Sequence, residues 1–190
     1  AGSMASGLMA YLSDGSDVKQ MHPGWAGMSG IRAARLAKAG FRGPSRVFEY
    51  RLGVFQSFAD VDISDKWQHA GGAPWEVELM APKPYPACLC VHAPVQAILK
   101  LRAAGKISAA RADDIAGIQC DVPEWYVNLV FEPASAKAAP RTPYEARFSA
   151  PWTMARALID GGLDVWSFGP EKLSDPAVLE LCARITYRRE

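Results

Sequence analysis

Three prolines fall within five residues near the middle of the chain, in the segment Pro82-Lys83-Pro84-Tyr85-Pro86. Because proline lacks a backbone N–H and fixes φ at about −65°, neither a helix interior nor a central strand can contain this run. We therefore expect an extended, stiff segment that holds Lys83 and Tyr85 with little conformational freedom. Regular structure has to form on either side of it.

The clearest helix signal lies at residues 24–39, with Pro23 at the start and Gly40 just past the end. Each glycine inside a helix costs up to about 1 kcal/mol relative to alanine. Close approach of another backbone is the favoured explanation for such a cost, and room for a ligand is the alternative. The glycines concerned are Gly24, Gly27 and Gly30.

Other elements are predicted from periodicity and from turn-forming residues. Alternating side chains predict strands at residues 75–80, 118–122 and 185–188. Residues 48–58 are compatible with either a helix or a strand. Because helices dominate the first third and mix with strands afterwards, we predict an α+β fold. The remaining helices are predicted at 5–12, 94–104, 150–160 and 176–184, and loops at 60–72 and 133–143.

Composition excludes several classes of protein. Apolar residues make up 49% of the 190 residues and the net charge is +1, so intrinsic disorder and a strongly basic nucleic-acid-binding face are not expected. No apolar run approaches the roughly 20 residues needed to cross a bilayer. Cys88 and Cys90 lie too close for the usual zinc motif, and the other thiols are scattered, so we expect no metal and a reducing, cytoplasmic compartment.

Two of the three histidines stand next to predicted helix starts and follow a lysine. His22 comes three residues after Lys19, and His92 comes nine residues after Lys83. Helix N-termini attract anions through free N–H groups and the macrodipole, so each pair is a candidate carboxylate or phosphate site. Ordinary capping or turn chemistry is the alternative. His69 lies in a polar loop and is expected to be solvated.

Several catalytic motifs are missing from the sequence. No Gly-x-Gly-x-x-Gly follows a predicted strand, no phosphate-loop lysine motif is present, and no Gly-x-Ser-x-Gly elbow occurs. The residues therefore lend no support to nucleotide-dependent redox chemistry or to hydrolysis through an acyl-enzyme.

Three separated motifs are the most specific signal in the chain. They are VKQMHPGWA at 18–26 with AARLA at 33–37 and GFRGP at 40–44, then KPYPAC at 83–88 with His92, and finally ARFSAP at 146–151. Together and in this order they resemble signatures of the MmgE/PrpD family, which includes 2-methylcitrate dehydratase, cis-aconitate decarboxylase and iminodisuccinate epimerase. The resemblance covers nearly the whole chain.

The resemblance implies a domain organisation. Residues 1–72 are expected to be the C-terminal part of a large helical domain, and residues 73–190 most of a smaller α+β lid domain. Chains of the family are longer at both ends, so this chain is expected to be part of a longer protein and to carry half of an active site. The resemblance also implies a homodimer.

The implied activity is that of a lyase that needs no cofactor and acts on a small di- or tricarboxylate, similar to 2-methylcitrate dehydratase. A proton moves at a carbon beside a carboxylate, and the charge that develops has to be stabilised by fixed cations. The resemblance assigns catalysis to Lys19, Lys83 and His92, and substrate binding to His22, Tyr85 and Cys88. For Tyr85 and Cys88, packing in the core is the alternative role.

Three positions depart from the family pattern. Leu89 replaces the arginine of the second signature. Cis-aconitate decarboxylases match the second signature but have a histidine at the position of Cys88. By this resemblance, the cysteine of this chain disfavours a decarboxylase. Trp152 replaces a tyrosine that is common early in the third motif, which points to a difference in the substrate pocket.

Alternative functions remain open at this point. The chain is also interpretable as a non-catalytic fragment or interaction module whose small-residue helix, residues 24–40, packs against a partner chain. An epimerase or a decarboxylase of the same family needs the same cationic pocket. A metal-dependent dehydratase using Cys88 and Cys90 is the weakest alternative.

Overall fold

The computed structural model of the chain describes residues 2–13, 16–59 and 75–190. The chain divides into two compact units, Ala1–Ala81 and Pro82–Glu190. The predicted loop at residues 60–72, with His69, lies outside the described residues. The assignment of residues 1–72 and 73–190 to a helical and a lid domain stays a prediction.

The first unit is built around one long helix, α1, which spans Val18–Lys38. It begins five residues before Pro23, so the predicted start was wrong. The predicted end is confirmed: Gly40 has a φ of 87°, and Phe41 N–H donates to the Leu36 carbonyl at 3.0 Å. Glycine tolerates this left-handed conformation, which explains why the helix stops there. The other elements are α2, Val54–Ala59, and the 3₁₀ turns Gly2–Met4, Met9–Ser13 and Glu76–Leu79.

Helix α1 makes few contacts within the described part of its unit. Ser29 is its one buried residue. A Cβ added at Gly24, Gly27 or Gly30 would meet no described atom within 4 Å. The expected close approach of another backbone to these glycines is therefore not found among the described residues.

The strand predicted at residues 75–80 was wrong. The backbone forms a 3₁₀ turn at Glu76–Leu79, with Glu78 N–H donating to the Trp75 carbonyl at 2.8 Å. Trp75, Val77 and Leu79 are at least 60% exposed. Alternation predicts a strand only where a second strand completes the hydrogen bonds, and none of the described residues does so here.

The second unit confirms the predicted α+β class. It contains two strands, β1 at Ile118–Val122 and β2 at Ile185–Arg189. They pair in parallel, with Ile118 opposite Ile185 and Val122 opposite Arg189. Parallel strands require a long crossover, and the helices between residues 123 and 184 supply it.

The helices predicted in the second unit are all found, and further helices form at 124–131 and within 133–146, where none was predicted. Residues 133–143, predicted as a loop, include helix α5 and the start of α6. Helix α4 continues into a π-helix at Val127–Phe131, and 3₁₀ turns occur at Leu89–Val91, Ala109–Asp114, Val165–Phe168 and Pro170–Lys172. The helices are α3 (His92–Ala103), α4 (Glu124–Tyr126), α5 (Ala134–Ala138), α6 (Pro143–Ala146), α7 (Ala150–Asp160) and α8 (Pro176–Cys182).

Helix α7 is the centre of the second unit. All of its residues from Ala150 to Leu158 are buried, and α3 and α8 pack against it. The Ser149 hydroxyl accepts a hydrogen bond from Trp152 N–H at 3.0 Å, which caps its first turn. Gly161, with a φ of 79°, ends it. Both ends are therefore specified by local sequence, as predicted, while the all-round burial comes from its neighbours.

Candidate functional site

Lys19 and His22 of the first unit lie near one side of α1 and share a neighbour, Tyr11. The Lys19 ammonium is 5.7 Å from the centroid of the Tyr11 ring, and the His22 ring meets the same ring edge-on at 5.9 Å. Because α1 begins at Val18, His22 lies inside the helix, and its predicted place before the helix start was wrong. Sequence reasoning missed Tyr11, which lies in a short 3₁₀ turn and belongs to none of the three motifs.

The KPYPAC segment of the second unit is irregular, as its prolines require. It is bent rather than extended, because Ala87 N–H donates to the Tyr85 carbonyl at 2.8 Å. The Lys83 ammonium donates to the Ala87 carbonyl at 3.2 Å. An ammonium has three donors, so this bond positions Lys83 and leaves the others for solvent or a ligand.

His92 is the first residue of α3, which confirms its predicted position at a helix N-terminus. Its side chain is buried, and the Tyr85 ring packs edge-on against it at 5.4 Å. The Nε2 atom has no hydrogen-bond partner among the described residues. A buried nitrogen without a partner costs about 1–3 kcal/mol, so His92 is suited to receive a ligand atom or a proton.

Cys88 links the second motif to the third. Its N–H donates to the Arg147 carbonyl at 2.9 Å, which places KPYPAC beside ARFSAP. The neighbouring Cys90 is buried, and burial together with the proximity of Cys88 raises its pKa to about 12. Cys90 is therefore a protonated packing residue. In the part of the chain that the structure describes, no third His, Cys, Asp or Glu joins these cysteines in a metal-binding group.

Lys137 is a candidate residue that sequence reasoning missed. It lies on α5, and its ammonium donates to the Leu129 carbonyl at 2.9 Å. Burial lowers its pKa below the usual 10.5, while Cys88 and Glu145 nearby act in the opposite direction. Lys137 was not predicted as a site residue, because residues 133–143 were expected to form a surface loop. The signal in the sequence is one lysine in the otherwise uncharged, alanine-rich stretch of residues 133–140.

The other two departures from the family pattern have different structural outcomes. Trp152 is fully buried and packs on the Phe168 ring at 5.5 Å, so it belongs to the core, and the pocket role expected for it is not seen. Leu89 is 61% exposed, so an apolar side chain occupies the surface at the position of the family's arginine.

The second unit therefore brings together Lys83, Tyr85, Cys88, His92 and the unpredicted Lys137. The set contains two ammonium groups, an imidazole nitrogen without a partner and a phenol. Such groups can hold carboxylates and move a proton beside them. Lys19 and His22 form a cluster of their own in the first unit. None of the described helices is long and apolar enough to cross a membrane.

Comparisons with known proteins agree with this reading of the motifs. The human cis-aconitate decarboxylase is 29% identical over 177 residues, and the mouse cis-aconitate decarboxylase is 26% identical over 179 residues. Each alignment covers 90% of this chain but 34% of the relative, so the chain spans about a third of the length of these proteins.

Both domains of one family are recognised in the chain, in order. The family model of the MmgE/PrpD N-terminal domain matches residues 1–65, and that of the MmgE/PrpD C-terminal domain matches residues 85–190. The C-terminal match by itself covers more than half of the chain and contains most of the cluster described above. The chain belongs to the MmgE/PrpD family.

Proposed function

We propose that the protein is a lyase that needs no cofactor and removes water from a small hydroxy di- or tricarboxylate, in the manner of 2-methylcitrate dehydratase. The observation that carries this proposal is the buried His92 at the start of α3, with an Nε2 that no described residue satisfies. It lies in the same short segment as the Lys83 ammonium. A proton-transfer group and a cation near each other suit chemistry beside a carboxylate.

The reaction would remove a proton from the carbon next to a carboxylate and break the C–O bond of the hydroxyl group on the adjacent carbon. The hydroxyl group would take up a proton and leave as water, and a double bond would form between the two carbons. Negative charge builds on the carboxylate oxygens as the proton leaves. Lys83 would stabilise this charge through the donors that it does not give to Ala87. His92 would bind a carboxylate or transfer the proton through Nε2. Tyr85, whose ring packs edge-on against the His92 ring at 5.4 Å, would orient that ring.

In the first unit, Lys19 stays a proposed catalytic residue and His22 a proposed substrate-binding residue. The Tyr11 ring lies 5.7 Å from the Lys19 ammonium and 5.9 Å from the His22 ring, so both proposed residues share one neighbour. The remainder of the site would come from other parts of a longer protein, since the chain spans about a third of the curated relatives. We also propose that the longer protein is a homodimer and that it is located in the cytoplasm.

A second candidate activity is the decarboxylation of cis-aconitate. Both named relatives are cis-aconitate decarboxylases, which favours it. Cys88 argues against this activity, because such enzymes have a histidine at that position of the motif. Loss of carbon dioxide also builds charge beside a carboxylate, so the same lysines would serve both reactions.

A binding role without catalysis is the third candidate. The apolar side chains of α1 favour it, because Trp25, Ile31 and Leu36 are all more than 40% exposed. Exposed apolar surface of this kind often marks a contact with another chain.

One experiment separates these candidates. The full-length protein and the 190-residue chain would each be mixed with 2-methylcitrate, citrate and cis-aconitate, and the unsaturated product and carbon dioxide would be measured. We expect the full-length protein to remove water from 2-methylcitrate and the chain alone to be inactive. Release of carbon dioxide from cis-aconitate would identify the decarboxylase instead. Inactivity of the full-length protein on all three acids would favour the binding role.

A further inference from the structure

Lys137 is a half-buried ammonium for which the described residues supply no counter-ion. Among residues 2–13, 16–59 and 75–190, no carboxylate lies within ion-pair distance of it. The carboxylate of the nearby Glu145 instead accepts hydrogen bonds from Arg141. The Arg141 backbone N–H donates at 2.7 Å and its guanidinium at 3.3 Å. A buried charge is normally paired, because desolvation is otherwise uncompensated.

The backbone holds Lys137 next to the candidate site. The Ser149 hydroxyl donates to the Lys137 carbonyl, and the neighbouring Arg147 carbonyl accepts the Cys88 N–H at 2.9 Å. Lys137 and Cys88 are thus both attached to the third motif by hydrogen bonds. The Lys83 ammonium donates to the carbonyl of Ala87, the residue before Cys88, at 3.2 Å.

Each ammonium is anchored in the same manner. Lys83 donates to one backbone carbonyl and Lys137 to another, at 3.2 Å and 2.9 Å, and neither has an ion-pair partner in the described part of the chain. An anchored ammonium keeps two N–H groups for a ligand. Two such groups bordering one loop match an acid with more than one carboxylate better than they match a monocarboxylate.

We propose that Lys137 is the second cation of this site and binds one carboxylate of the substrate, while Lys83 binds another. This inference rests on the proposed function and extends it, because it makes the number of carboxylates on the substrate a determinant of binding. The substrate carboxylate supplies the counter-ion that the described residues do not offer to Lys137. Acids with a single carboxylate would bind weakly and would not depend on Lys137.

The test is binding of tricarballylate to the full-length protein, measured by calorimetry at fixed ionic strength. Tricarballylate carries three carboxylates but no hydroxyl group, so it cannot lose water and binding is observed without turnover. We expect Lys137→Met to raise its Kd about 10- to 100-fold, the range for loss of a hydrogen bond to a charged group. Lys137→Arg should recover most of the affinity, because it restores the charge. Lys106→Met, at an exposed lysine of the same unit, is the matched control and should bind as the wild type does.

The possible results are distinguishable. If the wild type binds tricarballylate and Lys137→Met binds it equally well, Lys137 has no such role and the proposed function is untouched. If the wild type binds no di- or tricarboxylate, both are overturned. Lys137→Gln keeps a donor for the Leu129 carbonyl and replaces Lys137→Met if that variant fails to fold. A purely structural role predicts lower thermal stability with unchanged affinity in the folded fraction, which would also overturn the proposal.

Discussion

The lysines of the candidate site differ in the environment that each side chain meets. Lys83 is exposed and gives one hydrogen bond to a carbonyl four residues later, whereas Lys137 is half-buried and reaches the carbonyl of Leu129. Local geometry therefore positions Lys83, and tertiary packing positions Lys137. This difference explains why the first was visible as a motif and the second was not.

Replacing Lys83 tests the charge-stabilising role most directly. We expect Lys83→Ala in the full-length protein to lower kcat about 10²- to 10³-fold, as removal of one preorganised donor usually does. Thermal stability should change little, because the side chain is exposed. Steady-state kinetics on 2-methylcitrate measures the effect, and Lys106→Ala is the control. Near-normal turnover of Lys83→Ala would show that the role is wrong.

The four cysteines should differ in reactivity. Burial raises the pKa of Cys90 to about 12, that of Cys120 to about 11 and that of Cys182 to about 12. Because a thiol is nucleophilic only as the thiolate, these three should resist iodoacetamide at neutral pH and react faster as the pH rises towards their pKa values. Cys88, which is only partly buried, should be labelled first.

Peptide mapping by mass spectrometry measures the labelling of each cysteine in the folded protein. The unfolded protein, in which all four thiols are accessible, is the control. Equal labelling rates for Cys88 and Cys182 in the folded state would contradict the arrangement described here.

At the scale of elements, helix α7 and its contacts hold the second unit together. The Arg102 guanidinium of α3 donates to the Ile159 carbonyl at 3.0 Å and also to the Leu158 carbonyl, so it satisfies groups at the C-terminus of α7. Within α7, Arg156 is buried and pairs with Asp160 at 2.6 Å and with Asp175 at 3.0 Å. The second of these pairs connects α7 to the N-cap of α8.

The end of α7 gives a prediction about stability. Gly161 has a φ of 79°, and a Cβ there would lie 2.8 Å from Arg102 Cζ. Gly161→Ala should therefore lower the free energy of unfolding by about 1–2 kcal/mol, the cost of a left-handed residue with a side chain. Gly162 has open space and an ordinary φ, so Gly162→Ala is the matched control and should have little effect. Denaturant unfolding measures both, and equal effects would contradict the explanation.

At the scale of the whole molecule, the two units differ in how much apolar surface they cover. The second unit has a continuous core that runs from Ala87 to Ile185. In the first unit, α1 buries only Ser29, and Trp25, Ile31 and Leu36 are exposed. The first unit therefore presents apolar surface that the described residues do not cover.

This surface leads to a prediction for the isolated chain. We expect the 190-residue chain to self-associate at micromolar concentration, because exposed apolar patches drive association. The double substitution Ile31→Gln and Leu36→Gln should reduce that association without changing the helical content. Analytical ultracentrifugation and circular dichroism measure the two properties. A monodisperse 20.6 kDa monomer would show that the surface needs no partner.

Much of the second unit could be predicted from local patterns. The strand at 118–122 and the helix at 150–160 lie where the sequence predicted them, because alternation, caps and a terminal glycine act over a few residues. The strand at 75–80 was wrong for the complementary reason: its alternation had no partner strand to complete it. The start of α1 was predicted at Pro23 because proline is most common in the first turn of a helix. In the structure, Pro23 lies inside the helix, which begins at Val18.

The sequence by itself determined the family, the α+β class, the ends of α7 and the position of His92 at a helix start. These properties depend on residues that are close together in the chain or on motifs in a fixed order. Only the tertiary structure decided that β1 and β2 pair in parallel, that Tyr11 lies against Lys19 and His22, and that Ser149 hydrogen-bonds Lys137 to the third motif. Each of these joins elements or turns whose relative placement no local pattern encodes, because packing of apolar side chains around the cores brings them together.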